Sequence, residues 1–225
     1  MQWHEYPDAE SYTQALVKRI AADLRHALAR EGHARLALSG GRSPIPLLEA
    51  LNREELDWAQ VVVTLVDDRC VPATHADSNA RLLQAHFFQH AAAVARFEPL
   101  IHDANNADAS VQAANRAAGK ITVAVLGMGE DGHTASLFPG AAELAAGLDS
   151  ATQAHYLAVT PPVAPHRRVS LTLAALCATE HLYLAISGAN KRTVFERAGE
   201  RCDINLPISY LIHQTRTPLD VYWMP

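Results

Sequence analysis

The 225-residue sequence is 49% hydrophobic and 19% charged, which supplies enough apolar side chain for a packed core and excludes a disordered chain. Nineteen Lys and Arg against twenty-four Asp and Glu leave a net charge of -5, spread without blocks, so no basic face offers itself to a nucleic acid. No apolar run approaches the roughly eighteen residues of a membrane span, and the opening MQWHEYPDAE lacks a signal-peptide pattern; the expectation is a cytoplasmic protein with one domain over residues 1–225.

Tyr12, Leu16, Ile20, Leu24 and Leu28 recur every four residues and stop at Gly32, which predicts an amphipathic helix with a glycine end. The run RLALS follows as a strand, SGG as a tight turn, and Ser43-Pro44 as the N-cap and first position of a second helix. VVVTLV, residues 61–66, reads as a strand covered on both faces that runs into DDRCVP. Beyond it, Asp77 or Ser78 is placed to cap a helix holding Leu82, Leu83 and Phe87. ITVAVL, residues 121–126, is a strand entering GMGEDGHTASLFPG. Residues 155–173 hold a strand, a proline-stiffened loop and then a strand or a helix. HLYLAIS, residues 181–187, is a strand followed by a helix from Ala189 or Asn190, and LDVYWMP is a last strand or a docking segment. Strands separated by helical stretches predict an α/β fold: a mostly parallel central sheet flanked by helices, Rossmann-like in architecture, with ligands at the C-terminal strand ends.

The polar turns at those strand ends are the candidate chemistry. In Ser39-Gly40-Gly41-Arg42-Ser43-Pro44, two glycines let backbone N–H groups face a ligand, and Arg42 and Ser43 add donors suited to a phosphate. A purely structural strand-to-helix turn would use the same residues. In Asp67-Asp68-Arg69, adjacent carboxylates are costly without a cation, and Arg69 is the local partner; with no histidine at ligand spacing in the turn, the pair is not read as a metal site. His75, Asp77, Ser78 and Asn79 either finish the wall of the same pocket or form a solvated loop with a cap. Arg69 would also lower the pKa of Cys70; Cys70, Cys177 and Cys202 have no paired spacing and read as reduced thiols.

Gly127-Met128-Gly129-Glu130-Asp131-Gly132 satisfies GxGxxG after a strand, yet a dinucleotide fingerprint should open a long helix, and here Pro139-Gly140 intervene with no strand before Asp149. The loop instead suits catalysis, with His133 as general base and Asp131, two residues earlier, orienting its ring. Arg168 and Lys191 complete the basic candidates. An anion between Lys191 and a helix N-terminus would explain its placement, whereas a solvent-facing lysine would need no explanation.

SGGRSP, DDRCVPATHADSN, LGMGEDGHTASLFPG, APHRRVSLTL and SGANK, in that order over nearly the whole chain, resemble the 6-phosphogluconolactonases, within the superfamily that includes glucosamine-6-phosphate deaminase. The resemblance implies hydrolysis of 6-phospho-D-glucono-1,5-lactone in the oxidative pentose phosphate pathway, without metal or organic cofactor. It implies that His133 activates water with Asp131 as partner, and that Gly40, Gly41, Arg42 and Ser43 face phosphate. Asp67, Arg69, Arg168 and Lys191 would bind substrate, their division of labour open. Asp68 stands where the family usually has Glu, which leaves its role open. Phe138-Pro139 favours the lactonase over the deaminase. The competing readings are an amino-sugar-phosphate deaminase or isomerase using Asp67, and a noncatalytic sugar-phosphate sensor. Oligomeric state is not readable from these patterns.

Overall fold

In the computed structural model, which describes residues 1–225, the chain opens with strand β1 (Gln2–Glu5) and helix α1 (Ala9–Glu31). Asp8 caps α1 by accepting from the Ser11 N–H at 2.8 Å, and Gly32 ends it in the left-handed region at φ 73. Leu16, Ile20 and Leu24, on the predicted stripe, are buried, and α1 packs on the sheet and on the second helix. There follow β2 (Ala34–Leu38), α2 (Ile45–Leu51), β3 (Val61–Leu65), β4 (Asp67–Arg69), α3 (Asn79–His86), β5 (Arg96–Phe97), α4 (Ala107–Ala117) and β6 (Val123–Leu126). The rest comprises α5 (Leu144–Gly147), β7 (Tyr156–Val159), β8 (Arg168–Leu171), α6 (Leu173–Leu176), β9 (His181–Ser187), α7 (Ala189–Ala198), α8 (Ile208–His213) and β10 (Leu219–Met224).

Seven strands form one sheet in the order β1-β10-β9-β6-β2-β3-β5, and every neighbouring pair in it is parallel. Central strands such as β2, β3 and β6 are apolar on both faces because the sheet is covered on both, and a single cluster of 56 buried residues forms the core. From β2 the chain moves outward through β3 to β5, then returns to the other side of β2 as β6. That reversal leaves a crevice between the C-terminal ends of β2 and β6, the place where open α/β sheets bind ligands. Ser39, just past β2, bridges it by donating from Oγ to the Val125 carbonyl at 2.7 Å.

Two features depart from the predicted elements, and a third settles an alternative left open. Ser43 does not cap α2: Pro44 occupies that position with φ -79 and ψ -5, already helical, and no side chain caps the helix. The Asp67-Asp68-Arg69 turn is a strand, β4, and pairs with β8, itself paired with β7, in a separate antiparallel sheet. Leu173–Leu176, a single turn of helix, follows β8, so the 155–173 segment holds two strands and the start of a helix. The predicted cap at Ser78 is present, its Oγ accepting from the Arg81 N–H. The stretch after Gly127 stays non-helical until Leu144, as the dismissal of the dinucleotide fingerprint requires.

Candidate active site

The C-terminal ends of β2, β6, β9 and β10 open into a cavity of about 340 Å³, with Leu38, Leu126, Ser187 and Met224 on its wall. Gly40, Gly41, Arg42, Ser43, Asp67, Arg69, His133, Arg168 and Lys191 all line it. Of the predicted site residues only Asp131 stands outside the lining, and it reaches the cavity through His133.

The His133 loop is held by its own backbone. Gly129 donates its N–H to the His133 carbonyl at 2.9 Å, and the Thr134 hydroxyl donates to the Gly127 carbonyl at 2.9 Å. This turns the His133 ring back over Gly129, where Nδ1 meets Asp131 Oδ1 at 2.6 Å. Gly129 is required by that fold-back: a Cβ there would stand 2.3 Å from the imidazole and 2.5 Å from the Asp131 carboxylate. Partial burial works to raise the Asp131 pKa, but the bonds from His133 outweigh it and hold the carboxyl below its ordinary range. The other side of the imidazole packs on Phe138, ring centroids 4.3 Å apart, and the Arg168 guanidinium lies 5.6 Å from the same Phe138 ring. Phe138 thus fixes the histidine and a cavity arginine relative to each other, a link that sequence spacing between 133 and 168 gives no means of seeing.

Strand β4 sorts the acidic pair. Alternation along a strand sends residues 67 and 69 to one face and residue 68 to the other. Asp67 and Arg69 therefore face the cavity, with Asp67 accepting a hydrogen bond from the Ser136 hydroxyl. Asp68 points the opposite way, 1% exposed, and accepts backbone N–H groups from Arg69, Asn79 and Ala80 at 2.8, 2.7 and 3.1 Å. Burial nonetheless pushes its carboxyl up to about 6. The expectation that Arg69 neutralises the acids is corrected: its Nη1 donates to the Asp77 carbonyl at 2.6 Å and its Nε, buried, has no partner. Nor is Cys70 acidified by its neighbour, since burial raises the thiol pKa.

Gly40 lies against α3 so closely that a Cβ would overlap the Asn79 amide, 1.9 Å from Oδ1. Asn79 is fixed there by its Nδ2, which donates to the Asp67 carbonyl at 2.8 Å. Of the four residues expected to finish the wall or form a capped loop, Asn79 lines the cavity, Ser78 caps α3, and His75 and Asp77 lie outside the lining. Tyr12 and Thr13, from the first turns of α1, line it as well; in the sequence Tyr12 figures only in the apolar stripe.

Four cations, Arg42, Arg69, Arg168 and Lys191, face this cavity against one carboxylate, Asp67, and none of the four is in a salt bridge. Arg69 and Arg168 are direct cross-strand partners on β4 and β8, and Arg168 is only 6% exposed. Desolvation and the Arg69 charge both lower the Arg168 pKa. Like charges opposite one another in a sheet are unfavourable without a counter-charge, which favours an anion between them. Lys191 sits in the first turn of α7, where the helix dipole opposes it and favours the same anion.

A doubly wound α/β sheet with a cationic crevice at its switch point and a histidine–carboxylate pair at the rim defines a protein of the sugar-phosphate-enzyme type. The chain belongs to the glucosamine-6-phosphate isomerase/6-phosphogluconolactonase family, whose model matches residues 7–223. It is 45% identical to a 6-phosphogluconolactonase of Pseudomonas putida over 99% of this chain and 92% of that one. A 6-phosphogluconolactonase structure from Shewanella baltica superposes with a TM-score of 0.94 at 35% identity, covering 100% of this chain and 98% of that one. A monomeric glucosamine-6-phosphate deaminase shares the fold at a TM-score of 0.80 and 17% identity, over 98% of this chain and 97% of that one.

No helix is long and apolar enough to cross a membrane.

Proposed function

We propose that residues 1–225 act as one hydrolase domain that opens 6-phospho-D-glucono-1,5-lactone to 6-phospho-D-gluconate in the cytoplasm. The observation that carries this reading is the set of four unpaired cations around a cavity with His133 at its edge. The cations suit the phosphate and the developing oxyanion; the histidine suits the activation of water.

Asp131 on Nδ1 selects the tautomer that leaves the Nε2 lone pair free. Water is then deprotonated by Nε2 as its oxygen bonds to C1, and the carbonyl oxygen becomes an oxyanion that Arg69 or Arg168 stabilises. Collapse of the tetrahedral intermediate breaks the bond from C1 to the ring oxygen, which takes the proton back from the imidazolium. Gly40, Gly41, Arg42, Ser43 and Lys191 hold the phosphate end, and Asp67 binds a substrate hydroxyl. A lactone is an activated ester, so neither a serine nucleophile nor a metal is called on.

The test is ring opening of freshly generated lactone, corrected for its spontaneous hydrolysis, by the native chain and by His133→Ala. The expected result is rapid native turnover and a loss of roughly 10²- to 10⁴-fold in a folded variant. Absence of enzyme-dependent hydrolysis, with turnover of an amino-sugar phosphate instead, would overturn the reading.

A further inference from the structure

Outside the cavity lining, two loops far apart in sequence bring His75, Asp77 and His166 together, and their ligand-capable atoms all lie within 4.8 Å of one another. His166 Nε2 is 3.0 Å from Asp77 Oδ2, and His75 Nδ1 is 3.8 Å from the same oxygen. The two imidazoles meet edge to face with centroids 5.4 Å apart. Around a tetrahedral zinc ion with ligands at about 2.0–2.2 Å, neighbouring donor atoms stand roughly 3.3–3.5 Å apart. The His166–Asp77 and His75–Asp77 separations fall on either side of that value, and the exposure of His75 and Asp77 gives those side chains room to adjust.

The donor types also match. His75 Nδ1 accepts the Asp77 N–H at 3.1 Å, so it carries no proton, and an ion bound there would take that lone pair in place of the N–H. An ion would take the place of the proton that joins His166 Nε2 to Asp77 Oδ2, releasing it to solvent. Two imidazoles and one carboxylate form a ligand set suited to a divalent transition metal and poorly suited to the all-oxygen preference of Mg²⁺ or Ca²⁺.

We propose that His75, Asp77 and His166 form a binding site for a divalent transition-metal ion of the zinc type, distinct from the hydrolytic cavity, with its fourth position open to water. The ion would join the 72–78 turn to the 160–167 segment. Because the Asp77 carbonyl accepts from the Arg69 guanidinium, fixing this turn also steadies a cation on the cavity wall. The site takes no part in lactone hydrolysis and does not depend on that reading.

Zn²⁺ titrated calorimetrically into the metal-stripped full chain is expected to bind once per chain with micromolar affinity, and Co²⁺ to give the absorption of a tetrahedral site. His166→Ala is expected to weaken binding by at least about tenfold. His75→Ala, which leaves the Asp77–His166 bond in place, is expected to do the same without unfolding the protein. His133→Ala keeps the affinity. Absence of binding by the native chain, or binding lost in His133→Ala and retained in His75→Ala, would overturn the proposal.

Discussion

Gly129→Ala separates the geometry of the His133–Asp131 pair from the stability of the fold. The new Cβ would stand 2.3 Å from the imidazole Cε1 and Nδ1 and 2.5 Å from Asp131 Oδ1, where ordinary contact needs about 3.5 Å. Gly129 is not among the residues with positive φ, so the backbone accepts alanine and the ring must retreat by about 1 Å. A displacement of that size at a reacting group costs on the order of 10²-fold in rate, or about 2.7 kcal/mol of barrier. Folding is affected little, because the atoms that must move belong to side chains that are 29% and 43% exposed. The control is Gly32→Ala, remote from the cavity, with nothing within 4 Å of its Cβ but a φ of 73. It carries left-handed strain of about 1–2 kcal/mol, which lowers Tm by roughly 2–8 °C. Lactone hydrolysis and thermal unfolding are measured on both. Gly129→Ala should lose kcat at nearly native Tm, and Gly32→Ala should lose Tm at native kcat. Native kcat in Gly129→Ala would refute the assignment of the pair to catalysis.

Further outcomes follow from the same contacts. Arg168→Gln should lower kcat/KM by roughly 10- to 100-fold, as loss of a charge-assisted contact of about 1.5–3 kcal/mol requires; unchanged steady-state constants would remove Arg168 from the site. Gly40→Ala forces a Cβ into the buried Asn79 amide and should destabilise by about 1–3 kcal/mol, seen as a lower urea midpoint. Asp68, with its carboxyl raised to about 6, binds more protons in the folded than in the unfolded state between about pH 4 and pH 6. Stability should therefore fall by about 3 kcal/mol as pH rises through that window, a slope absent in Asp68→Asn; urea titrations showing equal slopes in both proteins would contradict it.

The strands β2, β3, β6 and β9 were legible because each is a nearly continuous apolar run, and α1 because its period and terminal glycine agree. β4 carries no such signal: three residues with two acids and an arginine read as a turn, and only pairing with β8 makes them a strand. Misreading the element also misplaced its side chains, since adjacency suggests that Asp67, Asp68 and Arg69 share one charge problem while strand alternation splits them between two faces. The cationic residues were recoverable because each stands at a strand end or a helix start. Phe138 as the link between His133 and Arg168, and the meeting of His75 with His166, depend on contacts between distant loops that no local pattern encodes.

Arg69 and Arg168 face each other across one antiparallel pair, and it is folding that brings them there. Their mutual repulsion is work already done before any substrate arrives, held by the hydrogen bonds and packing of a small sheet that touches no reacting atom. In the proposed reaction an oxyanion forming beside them would recover that work, so part of its stabilisation would reside in the mechanical stiffness of β4 and β8. A softer strand pair would let the guanidinium groups drift apart and relax, and that stabilisation would weaken with every contact residue still in place.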